Sequence, residues 1–244
     1  APHPLITEYY KSETARTHFV REMFDATAND YDRIEHLLAM GSGQWYRSQA
    51  LQRAGLKPSM RILDVGFGTG LVASKAIEII GAPELLTGLD PSLGMLLASP
   101  LLKQVQLIEG KAEQIPLSDS HFDFLSMGYA LRHMSDLECV FSEFLRVLKP
   151  GGKLCMLEIT KPETAFGTTM LKTYMRTIIP LLAKKVSLNG HNTPKLWKYY
   201  WDSIEACIPP ESIMQMLTQT GFSSVKKHRE LGIFTEYQAS KPDS

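Results

Sequence analysis

Little in this sequence is extreme, and each shortage closes off a class of function. Only three cysteines occur in 244 residues, Cys139, Cys155 and Cys207. They are scattered and odd in number, with no CxxC pair and no Cys/His ligand spacing. That argues against disulfides and structural zinc, and for a reducing cytosol. Lysine plus arginine balances aspartate plus glutamate at 26 each, so there is no basic footprint for nucleic acid. The longest apolar stretch, Met170–Leu188, is interrupted by Lys172, Arg176, Pro180, Lys184 and Lys185, which rules out a membrane span. Ala1 to Tyr10 lacks the basic region and apolar core of a secretion signal. There is no internal repeat or low-complexity linker. What remains is an ordinary globular composition, long enough for one large domain with additions.

The organising stretch is Arg61-Ile62-Leu63-Asp64-Val65-Gly66-Phe67-Gly68-Thr69-Gly70. Its apolar, β-branched start reads as a buried strand and its three alternating glycines as a turn into a helix. Glycine allows positive φ and lets a ligand approach the backbone, while the helix amides beyond can hold a polar group. A dinucleotide fingerprint needs G-x-G-x-x-G; here the third glycine comes one residue early and Leu71 stands in its place. Asp64 would repel a pyrophosphate and welcome an ammonium group.

Alternation of strand and helix follows: helix 71–80, strand 85–89, helix 92–98, strand 105–109, strand 122–127, helix 136–148 and strand 153–159. This predicts a parallel, doubly wound α/β sheet with ligands at the carboxyl ends of its strands. Before it, residues 1–16 read as a poorly ordered arm, with one helix from Thr17 to about Asn29 and another over 41–54. After it, two helices over 165–185 and 194–206 interrupt the pattern. A helix from Pro210 and strands 225–230 and 234–239 then close it, the short Leu231-Gly232 link implying an antiparallel final pair. Asp90, at the end of the second strand, suits ribose hydroxyls or the N-cap of the next helix. Glu109–Leu117 lies where an adenine ring would rest, and Ser126-Met127-Gly128 where an amino-acid end would be closed over.

The D-x-G-x-G-x-G string resembles motif I of class I S-adenosylmethionine-dependent methyltransferases. From Val20 to Pro242 the chain resembles the ubiquinone/menaquinone biosynthesis C-methyltransferase family. The resemblance is carried by Phe24-Asp-x-x-Ala-x-x-Tyr31-Asp32, Asp90-Pro91-Ser-x-Gly-Met95-Leu and Gly110-x-Ala112-Glu113-x-x-Pro116. It continues in Tyr129-Ala-Leu131-Arg132-His133, Arg146-Val-Leu-Lys-Pro-Gly-Gly, Leu157-Glu158-Ile159-Thr160-Lys161-Pro162 and Trp197-Lys-Tyr199-Tyr-Trp-Asp-Ser203-Ile204. It implies a Rossmann-like seven-stranded sheet with the last strand antiparallel and a helical lid. A single domain divides into an N-terminal helical cover (1–58), a cofactor-binding core (59–162), inserted lid helices (163–206) and a C-terminal helix with closing strands (207–244). The resemblance implies S-adenosyl-L-methionine as cofactor, leaving as S-adenosyl-L-homocysteine, and no metal is expected. Contacts to it are expected from Tyr31, Asp64, Gly66, Phe67, Gly68, Gly70, Asp90, Pro91, Met95, Lys111, Ala112, Glu113 and Met127.

Departures from the family pattern gather on the substrate side. Glu35, Ala39, Tyr46 and His133 stand where the family has Asn, Ser, Trp and Asn. On the cofactor side Phe67 is expected to crowd the turn, and Lys111 offers no acceptor for an adenine amine. A sulfonium methyl is already electrophilic, so the protein aligns the acceptor and makes it nucleophilic. A phenol ionises near 10. The resemblance supports Arg132 in proton removal, and His133 beside it, or His191, is a natural base. Glu35, Tyr46, Tyr129, Glu158, His191 and Tyr199 are the expected substrate contacts. Arg132 has the alternative of pairing with Asp136 or Glu138, Glu158 that of pairing with Lys161, and His133 that of capping the next helix. The aromatic stripe Trp197, Tyr200, Trp201 and Ile204 reads as core, with Tyr199 off it. The expected function is methylation of an aromatic phenol or hydroquinone, C-methylation in quinone biosynthesis among the options. O- or N-methylation of a soluble aromatic and a non-catalytic methyltransferase-like subunit are the alternatives. The expected setting is cytoplasmic with a small-molecule partner and no nucleic acid; peripheral membrane contact and a homodimer stay open.

Overall fold

The computed structural model describes residues 1–39, 42–186 and 192–243. Seven strands form one sheet: β1 (Ile62–Val65), β2 (Leu86–Asp90), β3 (Gln106–Glu109), β4 (Phe122–Gly128), β5 (Leu148–Ile159), β6 (Ser223–Glu230) and β7 (Phe234–Ser240). Their order is β3-β2-β1-β4-β5-β7-β6. Strands β1 to β5 pair in parallel, and β7 runs antiparallel to both β5 and β6, as the short link before it predicts. The order reverses between β1 and β4, so their loops part there and leave a crevice at the carboxyl ends.

Side-chain alternation sends successive residues of each central strand to opposite faces. Leu63, Val65, Leu125, Met127 and Leu154 pack with Phe141 and Phe144 of α5 (Leu137–Val147) and Leu217 of α9 (Pro210–Thr220). Ile62, Phe124, Cys155 and Leu157 pack with Leu51 of α2 (Ser42–Arg53) and Val72, Ala73 and Ala76 of α3 (Leu71–Ile80). A third cluster joins α1 (Glu13–Ala39) to the inserted segment, which comprises α6 (Ala165–Thr173), a π turn over Tyr174–Ile178, α7 (Ile179–Val186) and α8 (Asn192–Ala206).

Two expectations at the N-terminus are corrected. Helix α1 runs ten residues past Asn29, and carboxylates on either side of that point are tied to the sheet end. Asp25 accepts from Ser92 Oγ at 2.6 Å and from the Gly94 amide at 2.9 Å, and Asp32 accepts from Thr69 Oγ1. The arm before it is docked rather than loose. The Ile208 amide donates to Pro2 O at 2.8 Å, Tyr9 OH donates to Asp202 at 2.7 Å, and the Tyr10 ring is buried.

Candidate active site

The crevice after β1 is a cleft whose floor is main chain. Gly66 takes φ of +68°, and a Cβ there would lie 2.5 Å from Ala130 Cβ, so a side chain is excluded on both conformational and steric grounds. Phe67 does not crowd the turn as expected. Its ring points down into the core over Gly88, where an added Cβ would come within 2.4 Å of the ring. It is accommodated by the missing Cβ of Gly88 and by that of Gly70, where a Cβ would come within 2.8 Å of the same ring. Gly66, Phe67, Gly68, Thr69, Asp90, Pro91, Met95 and Gly128 line this cleft. It continues into a groove lined by Lys111, Ala112 and Glu113, with Gly66, Pro91 and His133 shared by both.

Asp90 braces the turn, accepting from the Gly68 amide at 2.7 Å and the Ser92 amide at 2.8 Å. Burial raises its carboxyl to about 6, still mostly ionised at neutral pH. Two amide bonds leave lone pairs on both oxygens, so Asp90 retains room for a pair of ribose hydroxyls. These features fit the nucleoside and amino-acid ends of the expected cofactor. Glu113 is partly engaged, accepting from the Ser135 amide at 2.8 Å and Ser135 Oγ at 2.6 Å.

Three expected contacts lie elsewhere. Asp64 sits below the turn, accepting from Ser126 Oγ at 2.6 Å; burial, with Asp90's charge adding to it, raises its carboxyl to about 7. It does not line the cleft. Met127 faces the α5 and α9 core, because alternation along β4 gives the cleft to Gly128. Gly70 opens α3 at φ +94° and supports the turn rather than lining the cleft.

Beside the cleft lies a second, more apolar cavity, walled by Leu171, Met175, Ile179 and Trp197 among others. Tyr31, Arg47, Tyr129 and Tyr200 line both spaces and form the seam between them. Tyr31 and Tyr200 share a hydroxyl hydrogen bond of 3.0 Å. Burial pushes both phenols above their usual range, so they stay protonated. Tyr129 holds φ of +61°, a left-handed conformation costly for a bulky residue. Glu35 lines the apolar cavity and accepts from Arg47 Nη2 at 2.6 Å.

Arg132 and His133 diverge. Arg132 lines the apolar cavity, and its partner is Glu158, not Asp136 or Glu138. Nη1 donates to the Glu158 carboxylate at 2.6 Å and Nε to Ser203 Oγ at 3.1 Å, with the guanidinium 4.6 Å from the Tyr200 ring centre. Glu158 therefore does not pair with Lys161, and it faces a separate pocket near Cys207. Asp136 caps α5 instead, accepting from the Glu138 and Cys139 amides. His133 lines the cleft, hydrogen-bonded through Nδ1 to Tyr199 OH at 3.3 Å, while its buried Nε2 has no hydrogen-bond partner among the described residues. Burial first, then the charge of Arg132, holds its imidazole well below the ordinary value, hence neutral.

Tyr199 supports His133 from behind and does not reach either cavity. Tyr46 is also off the site: its ring is stacked on Phe234 in the α2-side core, 4.9 Å between centres. His191 lies outside the described residues. Sequence reading missed Arg47, Tyr200 and Arg16. Arg16 Nη2 donates to the Met134 carbonyl at 2.5 Å and the Arg132 carbonyl at 3.1 Å, fixing the turn that carries His133. Tyr200 had a signal, since it shares the helical stripe with Trp197; Arg16 had none within its own segment.

A profile of the ubiE/COQ5 methyltransferase family matches residues 10–241. The chain is 30% identical over 226 residues to the demethylmenaquinone methyltransferase of Corynebacterium glutamicum (strain R), covering 92% of this chain and 95% of that one. It is 28% identical over 238 residues to the ubiquinone/menaquinone biosynthesis C-methyltransferase UbiE of Pseudomonas fluorescens (strain SBW25), covering 94% and 91%. Among solved structures, a SAM-dependent methyltransferase of Thermotoga maritima matches with a TM-score of 0.63 and 22% identity over 91% of this chain and 99% of that one. Phosphoethanolamine N-methyltransferase 2 of Haemonchus contortus, in complex with S-adenosyl-L-methionine, matches with 0.59 and 19% over 81% and 53%. These structural likenesses speak for the fold.

Proposed function

The chain belongs to the ubiE/COQ5 methyltransferase family and is an S-adenosylmethionine-dependent methyltransferase, and from that premise we propose that it methylates a ring carbon of a phenol or hydroquinone in quinone biosynthesis. The observation that carries this reading is the seam: an aromatic-edged, apolar cavity adjoins the glycine-floored cleft, with Tyr31, Arg47, Tyr129 and Tyr200 lining both. An acceptor with a polar ring and an apolar substituent suits that shape. The relatives named for menaquinone and ubiquinone biosynthesis support the same class.

In this reading S-adenosylmethionine, when bound, supplies an electrophilic methyl and leaves as the neutral thioether. The residues on Gly66–Thr69 and Asp90 hold the cleft side, and those at the seam orient the acceptor. The acceptor oxygen gives up its proton, the adjacent ring carbon forms the new carbon–carbon bond, and that carbon then loses its hydrogen as a proton. His133, neutral and with Nε2 open, is the proton acceptor we assign. Its depressed basicity sets a problem. A phenol near 10 does not yield its proton to such a base unless a cation stabilises the oxygen.

The proposal extends to a membrane surface as the place where an apolar acceptor is met. Phe166, Met170, Ile178, Leu181 and Leu182 are exposed on α6, the π turn and α7, interleaved with Lys172 and Arg176, a pattern suited to an interfacial helix. No helix among the described residues is long and apolar enough to cross a membrane.

Transfer of a labelled methyl group to a panel of acceptors tests both parts. The panel pairs reduced short-chain demethylated hydroquinones, free or carried in anionic liposomes, with soluble phenols and aromatic amines. Label on a hydroquinone ring carbon, with higher turnover and co-flotation in liposomes, is the expected result. Label only on oxygen or nitrogen of a soluble acceptor would replace this reading with the second one, an O- or N-methyltransferase. The Glu35–Arg47 ion pair in the cavity wall is the feature that favours that alternative.

A further inference from the structure

We propose that Arg47, and not Arg132, is the cation that receives the oxygen of the methyl acceptor; this rests on the phenol or hydroquinone reading above. Two guanidiniums line the apolar cavity, and they differ in what they have left to give. Arg132 is engaged by Glu158, Ser203 and the face of Tyr200, and none of its buried nitrogens is orphaned. Arg47 is 3% exposed, and among the described residues its only ion pair is to Glu35 through Nη2. Its Nε and Nη1 are buried with no hydrogen-bond partner among the described residues.

A guanidinium has five N–H donors and no acceptor. Leaving the three N–H donors of these two buried nitrogens unmade carries a full desolvation cost, and such groups call for a ligand or a water to explain them. The position narrows the ligand. Arg47 lines the cleft as well as the cavity, so an oxygen held by it lies on the boundary where the two compartments meet. The guanidinium carbon is 5.4 Å from the ring centre of Tyr129, with Tyr31 and Tyr200 as the other shared walls, which favours a flat partner. Tyr129 reaches this place through its left-handed backbone, secured by its amide donating to Leu157 O at 2.7 Å. Strain of that kind persists where the surroundings over-determine it, commonly at ligand clamps.

Charge completes the assignment. Glu35 offsets the positive charge, so the pair survives in an apolar wall without demanding a permanent anion. A phenol that sheds its proton on binding satisfies it better than a carboxylate or phosphate would. An oxyanion beside Arg47 also supplies the stabilisation that a weakly basic His133 lacks. Lysine at this position would keep the charge but not the forked donors.

The test uses the full chain saturated with S-adenosyl-L-homocysteine and 4-nitrophenol as a chromophoric probe, titrated with pH by absorbance. Wild type is expected to lower the apparent pKa of the bound phenol by at least about one unit, the effect of a nearby cation. Arg47→Met should abolish that shift and weaken phenolate binding tenfold or more, with Arg47→Lys in between. Because Arg47→Met leaves Glu35 unpaired, the double variant Glu35→Gln/Arg47→Met, which removes both charges, is run beside it and should show the same loss. A wild type that methylates the hydroquinone panel yet binds the probe without a shift, or variants that shift it equally, would overturn the assignment alone. Failure of every phenol and hydroquinone in the panel would remove the reading on which it rests.

Discussion

The floor of the cleft and the wall of the cavity are built in different ways. The floor is one turn and its brace: Gly66, Gly68 and Gly70 turn on their own φ angles, and Asp90, at the end of the neighbouring strand, accepts from the Gly68 amide. The wall is made by residues far apart in the chain. Arg132 meets Ser203, and Tyr31 meets Tyr200. The four substrate-side departures, Glu35, Ala39, Tyr46 and His133, fall in the helices and turn that build the wall, even though Tyr46 itself turns out to be core.

The largest effect that would sharpen this contrast belongs to the wall. Arg132→Met leaves the buried carboxylate of Glu158 without its cation, a change that costs about 3–5 kcal/mol in comparable buried pairs. Adding Glu158→Gln should recover most of it, as read by urea unfolding, because no charge is then left buried. If the second change recovers nothing, the pair is not what holds this part of the wall.

A smaller effect belongs to the floor and depends on pH. Asp64 has its carboxyl raised to about 7 in the folded chain, against about 4 unfolded. The native state therefore binds more protons between those values, and the favourable contribution of the protonated form is lost as pH rises through 7. Asp64→Asn removes this dependence. Its stability relative to wild type should grow by about 2–3 kcal/mol between pH 5 and pH 8. A difference that stays flat with pH would show that Asp64 ionises at its ordinary value and that burial beneath the turn does not govern it. His133 works in the opposite direction, since a depressed base loses stability as pH falls, but it cancels in this comparison.

The same contrast explains what the sequence made legible. The strands, α3 and the glycine turn were readable because their signals are local: β-branched runs, helix-ending glycines and alternation. Asp90 was readable from its place at the end of the second strand, whereas Pro91, Met95 and Ala112 came from the family resemblance; all four line the cleft or its groove. Met127 was assigned to the wrong face because β4 is buried on both sides, so its apolar run carries no face label. Helix α1 was cut short at Asn29 because the anchor of its extension, Thr69 on Asp32, is remote in sequence. Arg47 was passed over for the same physical reason. An arginine in a helix reads as solvated until Glu35 and Tyr129 are seen to enclose it.

The most direct measurement is a structure of the chain with S-adenosyl-L-homocysteine and a reduced short-chain hydroquinone bound together. The account predicts the thioether end over Gly66–Thr69, the ring at the seam with one oxygen on Arg47, and the side chain of the acceptor in the cavity walled by Leu171 and Met175. A ring found on the far side of His133, toward Lys111 and Glu113, with the apolar cavity empty of it, would contradict the division of the site into floor and wall.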